Sequence, residues 1–304
     1  MGIAAPVVAQ CYPYDLTNDV VTPNSTSDPG GDYDMDNIRD PSLMLTAHTG
    51  DKDDASGFKI TFGTAFDCYG GEIVNCQLAS GELSGFVLYS DAAWVTAVAN
   101  TTKVVSVPSG IWTAQTQIVD HQPTRPNWIL GVDVLSTGPT PAATPVPASV
   151  STQSAIVNFQ TAAAGRTYWE TGFVAWAINA RPLGFPADSD GSGKLDVDTI
   201  RLRSGGTGYR WTMTWDRLTM ADVHYMRSLY GATEGGQWPF FFWPDPDQKT
   251  VTGTITSARH GPGTRGGLAR MLSWKGSEQQ LVGSTYYGRN CTLVAESWEE
   301  EAVK

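Results

Sequence analysis

No run of this 304-residue chain approaches the roughly 18 consecutive apolar residues that a membrane-spanning helix requires, so membrane insertion is not expected. Cysteine is scarce. Cys11, Cys68, Cys76 and Cys291 are the only four, and none form a C-x-x-C pair. Four in a chain this long do not make a disulfide scaffold, so buried thiols are expected, and a Cys68–Cys76 bridge would require export. Charged residues are few, at 17%, and the net charge is −11. That balance argues against non-specific nucleic-acid binding. No H-E-x-x-H, G-x-S-x-G or Cys/His cluster occurs, and His48, His121, His224 and His260 are scattered. Catalytic, cofactor and metal residues are therefore all expected to be absent, and the chain is not expected to be an enzyme. The opening "MGIAAPVVAQC" has no basic segment and too short an apolar stretch for an export signal. Pro6 breaks the myristoylation pattern. The three N-x-[ST] matches, at Asn24, Asn100 and Asn290, carry no meaning without secretion. Repeats of fixed period are also lacking.

What the chain does contain is glycine (32 residues), tryptophan (11 residues) and many short apolar runs between turn signals. That combination predicts a β-rich protein, and the length predicts about two domains. Residues 1–31 are polar and rich in Pro, Asn, Ser and Thr, and are expected to form an extended arm. In "FKITFG" (58–63), Phe58, Ile60 and Phe62 share one face of a strand. Further strands are expected at 72–79, 84–90, 92–99, 103–107 and 128–135, then at 155–159 and 172–180. The series ends with 198–204, 209–218, 250–257, 267–274 and 290–298. Their spacing is that of a sandwich or barrel. The segment 137–152 carries Pro139, Pro141, Pro145 and Pro147 and is expected to be a linker or a long loop.

One helix is well marked, over 220–230. Thr219 is its expected N-cap, and Asp222 falls in the favourable first turn. Val223, Met226, Leu229 and Tyr230 form an apolar stripe, and Gly231 is the expected stop. "WPFFFWPDPDQ" (238–248) follows. Such a block is open to four readings: core strand, ligand-stacking surface, membrane-dipping loop or oligomer contact. Alternation puts Phe240 and Phe242 on one face and Phe241 and Trp243 on the other, so a strand buried on both faces is expected. Phe240 and Phe242 would meet the helix stripe, and Phe241 and Trp243 a second sheet or a subunit. Asp245 and Asp247 are unsuited to a membrane loop and fit a simple turn.

Two motifs imitate binding sites. "DSDGSGKLDVDT" (188–199) spaces Asp188, Asp190, Ser192, Gly193 and Asp196 like a calcium loop. Thr199 stands where the bidentate Glu should be, and no helix pattern flanks it, so a solvated turn is expected. "GPGTRG" (261–266) fits G-x-G-x-x-G but lacks the strand–helix context, and Pro262 removes an N–H that would cradle phosphate. It is expected to be a hairpin loop.

The stretch "WDRLTMADVHYMRSLYGATEGGQWPFFFWPDPDQ", with the closing "NCTLVAESWEEE", resembles minor tail and distal-tail (baseplate) proteins of long-tailed bacteriophages. "DNIRDPSLMLTA" and "FKITFGTAFDCYGGEIVNCQLASGELSGFVLYSD" are similar to galactose-binding-like (discoidin-type) jelly rolls, and "RTYWETGFVAWAINARP" to the closing strand of that module. The resemblance implies a jelly-roll β-sandwich at 32–182 and a β-rich domain with one packed helix at 183–304. It implies a structural virion protein, assembled in the host cytoplasm as a homo-oligomer with other tail proteins, and a host surface glycan is a further expected ligand. The competing expectation is a secreted carbohydrate-binding sandwich that uses calcium.

Overall fold

The computed structural model describes residues 6–23, 33–42, 45–49, 57–73, 83–101, 113–119, 127–131, 134–135, 146–147, 149–159, 169–184, 195–201, 207–243, 267–276, 278–282 and 285–298. It is mainly β, with one α-helix among the described residues. The first strands are β1 (Val7–Cys11), β2 (Val20–Pro23), β3 (Ala47–Thr49), β4 (Gly57–Ile73), β5 (Leu83–Tyr89), β6 (Ala97–Thr101), β7 (Thr113–Val119) and β8 (Asn127–Gly131). Next come β9 (Val134–Leu135), β10 (Val146–Pro147), β11 (Val150–Phe159), β12 (Trp169–Thr171) and β13 (Val174–Pro182). The remainder are β14 (Leu195–Arg201), β15 (Thr207–Thr219), α1 (Met220–Ala232), β16 (Phe240–Trp243), β17 (Gly267–Lys275), β18 (Glu278–Val282) and β19 (Thr285–Ser297). A short 3-10 turn, Met35–Arg39, adds Met35 and Ile38 to the core. No helix among the described residues is long and apolar enough to cross a membrane.

The chain divides into two compact units. One comprises Met1–Cys11, Val134–Pro147 and Asn179–Lys304, and the other Tyr12–Asp133 and Ala148–Ile178. The expected organisation differs in its first piece. Residues 1–31 were expected to form an arm, yet Val7–Cys11 and Val20–Pro23 are both strands, with Val7, Val8 and Ala9 buried. The polar composition around them hides two pairs of β-branched residues, Val7-Val8 and Val20-Val21. The chain crosses between the two units at 11/12, 133/134, 147/148 and 178/179, where the sequence suggests one boundary at 182/183.

The unit built on Tyr12–Asp133 is organised by β4. Its first half lies between β2 and β11, with Val20, Thr61, Ser154 and Tyr89 in one cross-strand row. Its end pairs with β13 and β8 instead. One 17-residue strand thus serves two groups of neighbours, as corner strands do in sandwich-like folds. Phe58, Ile60 and Phe62 face one way, as alternation requires. They pack with Leu88, Ala155, Val157, Val174 and Trp176. Residues 92–99, expected to be a strand, start instead as a turn. The Asp91 carboxylate accepts N–H bonds from Ala93 (2.8 Å), Val95 (3.1 Å) and Thr96 (2.6 Å), and Trp94 takes φ 57°. An Asp that caps its own turn outcompetes a short apolar alternation. The end of the Pro-rich segment is also structured, since Val146–Pro147 pairs with Val134–Leu135 and β11 starts at Val150.

In the other unit the strand order is β14-β15-β19-β17-β16-β1, antiparallel throughout. Trp211, Met213 and Trp215 are buried on one face of β15, opposite Ala295, Leu293 and Cys291 of β19. Helix α1 covers this face. Val223, Met226 and Leu229 join Phe240 and Phe242 in one core cluster, with Tyr230 at its margin. The helix makes its approaches to β15, β17, β19 and β1. Phe242 meets Trp211 edge-on, ring centroids 5.5 Å apart. Phe241 lies on the opposite face and is 1% exposed. It is already covered within the chain, so of the two partners expected for this face, a second sheet or a subunit, no subunit is needed to bury Phe241. Phe240–Phe242, the centre of the aromatic block, are therefore a core strand, while Trp238 before them is exposed.

Both helix caps are explicit. Thr219 accepts the N–H of Asp222 (3.2 Å), and its hydroxyl donates to the Asp222 carboxylate (2.7 Å). At the other end Gly231 is not the stop, because the helix runs to Ala232. Gly235 N–H bonds to Tyr230 C=O and Glu234 N–H to Gly231 C=O, both at 3.0 Å. This is a Schellman closure whose left-handed position is taken by Glu234, at φ 48°. Gly236 follows at φ +95°, where a Cβ would strike the Met271 carbonyl oxygen.

Two stability measurements check this core. Phe242→Ala should lower unfolding free energy by about 3–5 kcal/mol, the cost of a core aromatic truncation, in a denaturant titration. Glu234→Gly should raise it by up to ~1 kcal/mol, because relief of the left-handed strain exceeds glycine's extra chain entropy. An unchanged midpoint in the first variant would refute the helix-on-sheet core.

Candidate functional site

Two constructions concentrate the polar and positional detail, one in each unit. The first begins where β1 ends. Tyr12, Pro13 and Tyr14 lead into a turn that Asp15 closes, accepting N–H bonds from Thr17 (2.9 Å) and Asn18 (3.3 Å) and a side-chain bond from Asn18 Nδ2 (2.7 Å). These bonds, the Asn18 side chain foremost, hold the Asp15 carboxyl below its ordinary range. Asp19 sits at the centre, 3% exposed. Its carboxylate accepts Tyr12 O–H (3.1 Å), Gly63 N–H (2.7 Å) and Asp15 N–H (2.8 Å). Arg39 donates to the Asp19 carbonyl at 2.7 Å and pairs with Asp36 at 2.6 Å. Beneath, Tyr14 O–H donates to Val174 C=O (2.8 Å) and accepts Trp176 Nε1–H (2.7 Å). Tyr12 stacks on Phe66 with centroids 4.4 Å apart.

The chemistry of this knot is that of a structural network. Burial, followed by the Asp19 charge, pushes the Tyr12 phenol far up, and burial pushes the Tyr14 phenol well above its ordinary value. Both stay neutral donors at ordinary pH. Three donors already occupy the Asp19 carboxylate, tying Tyr12, the Asp15 turn and Gly63 of β4 together.

The second construction is the slot that holds β1. Val7, Val8, Ala9 and Gln10 pair with Trp243, Phe242, Phe241 and Phe240. On the other edge Leu183 N–H donates to Pro6 C=O (2.8 Å), and Asn179 Nδ2 to Gln10 Oε1 (3.0 Å). The end of β13 is tied in turn to the helix. Arg181 Nε bonds Asp222 at 2.7 Å, its guanidinium lies 5.7 Å over the Tyr225 ring, and Tyr225 O–H donates to Asn179 C=O at 2.7 Å. Asp222 therefore serves both the helix cap and the wall of the slot.

The sequence-level candidates fare unevenly. Asp188, Asp190, Ser192 and Gly193 of the calcium-like motif lie outside the described residues. Asp196 and Thr199 lie in strand β14, paired with Thr212 and Tyr209. Among the described residues no group of three His, Cys, Asp or Glu could hold a metal. The "GPGTRG" motif, Asp245, Asp247, His121, His260 and Cys76 also lie outside the described residues. His48 is buried and stacked on Tyr33 at 3.7 Å, and His224 is on the exposed side of α1. Cys68 and Cys291 are buried and Cys11 is half-buried; burial pushes the Cys68 thiol well up. The Tyr12–Asp19 knot and the β1 slot were missed because both lie in the segment expected to be an arm. The only local signs were the short pairs Val7-Val8 and Val20-Val21 and the aromatics Tyr12 and Tyr14, too few to set a strand period. Compared with known protein families, curated proteins and solved structures, the chain matches none.

The raised phenols fix an alkaline limit. Their folded pKa values exceed the unfolded value near 10, so the unfolded chain releases protons first as pH rises. The stability they contribute is complete below about pH 10 and is lost progressively above it. Melting temperature should fall from about pH 10 upward, and Tyr14→Phe should flatten that fall while lowering the neutral-pH value through two lost hydrogen bonds. A Tyr14→Phe chain with the wild-type alkaline profile would show that Tyr14 is not the titrating group.

Proposed function

We propose that this chain is a structural protein of a long-tailed bacteriophage tail, a minor tail or distal-tail (baseplate) component that assembles as a homo-oligomer with other virion proteins. The observation that carries the reading is the piece "WDRLTMADVHYMRSLYGATEGGQWPFFFW". Its residues form the end of β15, helix α1 and strand β16 in succession, and Trp215, Leu218, Val223, Met226, Leu229, Phe240 and Phe242 share one core. The tail-protein resemblance thus falls on one supersecondary unit rather than on scattered positions. The galactose-binding-like resemblance falls on the β4–β5 region, whose corner strand has a sandwich-like character. A host surface glycan is a proposed ligand of that unit. Its other proposed contacts are copies of itself and tail proteins, in a particle assembled in the bacterial cytoplasm.

Immunogold labelling of tailed particles from the producing cells, with antibody to this chain, tests the assignment. Label at the tail tip or along the tail is the expected result, and light scattering of the purified chain should give a multiple of 32.7 kDa. Particles of normal morphology that never carry the chain would refute the virion reading.

A further inference from the structure

We infer that the VVAQC strand is exchangeable, and that the slot between β16 and the end of β13 takes this strand from a second copy of the chain. The inference builds on the reading of the chain as a self-assembling structural protein and names the contact through which copies join. Residues 7–11 belong to one unit, yet from Tyr12 the chain belongs to the other, where Tyr12 N–H bonds Trp176 C=O at 2.8 Å. The chain passes from the strand into that unit at Cys11–Tyr12, and the exposed Pro13 stiffens the stretch that follows. The segment is therefore covalently continuous with one body and structurally part of the other. The slot can be filled by its own chain or by a neighbour's.

Nothing in the pairings depends on which copy supplies the strand. Val7 to Gln10 make the same backbone bonds to Phe240–Trp243, and the Pro6–Leu183 and Gln10–Asn179 bonds are the same in either arrangement. Exchange of an identical element costs little in contact energy, and concentration decides between the two states. An empty slot could not persist, because it would leave β16 with an unpaired backbone edge between aromatic side chains, a strong template for strand addition. Its selectivity follows from its walls. Val8 enters the core with Phe242, Trp211 and Met213, while Ala9 is small and buried opposite Phe241. An apolar β-branched residue followed by a small one fits, and a charge at position 8 does not.

Two measurements decide this. In the first, a protease site is inserted between Tyr12 and Pro13 of the full chain, the purified protein is cleaved, and a fluorescent peptide of residues 4–12 is added. The expected result is replacement of the native segment, one peptide per chain, with no uptake of the Val8→Asp peptide. Absence of uptake, or equal uptake of both peptides, overturns the inference. In the second, intact chain is compared with the Val8→Asp chain by light scattering across concentration. Oligomers of the intact chain that are lost in the variant, together with peptide uptake, are expected. If both chains form the same oligomers, strand exchange is wrong and the assembly reading stands. If the intact chain is monomeric throughout, both fall. Should Val8→Asp fail to fold, the cleaved wild-type chain mixed with excess unlabelled peptide replaces it, and oligomers that persist unchanged overturn the exchange.

Discussion

The pairing of β1 with β16 is the contact on which one whole unit depends. β16 is aromatic along its length and its phenylalanines are buried on both faces, so it tolerates no open edge. β17 covers one side through Phe240–Ala269 and Phe241–Leu268. The other side is closed by a strand that lies some 230 residues earlier in the sequence. Everything above that layer follows: Val8 supplies part of the floor on which α1 rests, and the helix is then locked by the Asp222–Arg181 bond at the end of β13.

The other unit solves a different problem. Its central strand changes partners along its length, and the turns at residues 15–19 and 91–96 are fixed by carboxylates that accept backbone N–H bonds. Asp15, Asp19 and Asp91 each bind two or more donors, so a chain with net charge −11 spends part of its acidity on holding loops still. The Asp15 and Asp91 bonds are local, available wherever a short carboxylate precedes a turn, while Asp19 also reaches across to Gly63 of β4.

The β-rich class, the N-cap at Thr219, the helix stripe and the alternation of β4 and β15 were legible because each is a periodicity or a local bond. Phe240 and Phe242 were readable as core by the same rule. The length of the helix was not, because its stop depends on Glu234 tolerating a left-handed backbone, and sequence favours the nearer Gly231. Nor was the role of Val7–Cys11, whose five residues show no period long enough to register. Their burial is decided by partners at Phe240–Trp243, and a pairing between distant segments leaves no local trace. The Asp91 turn shows the converse: a real apolar alternation overruled by three hydrogen bonds to one side chain.

The distance in sequence between β1 and β16 also sets the order in which the protein can be made. At a translation rate of about 5–20 residues per second, on the order of ten to fifty seconds separate the emergence of the two strands. Through that interval Val7, Val8 and Ala9 are on the outside of the ribosome with no sheet to enter, while the whole of Tyr12–Ile178 is synthesised. The unit whose residues are nearly contiguous can complete itself on the ribosome. The unit that brackets it closes only after Trp243 has left the exit tunnel. A nascent chain stalled before that point presents an apolar strand to its neighbours, so crowded polysomes are where mispairing between growing chains would begin.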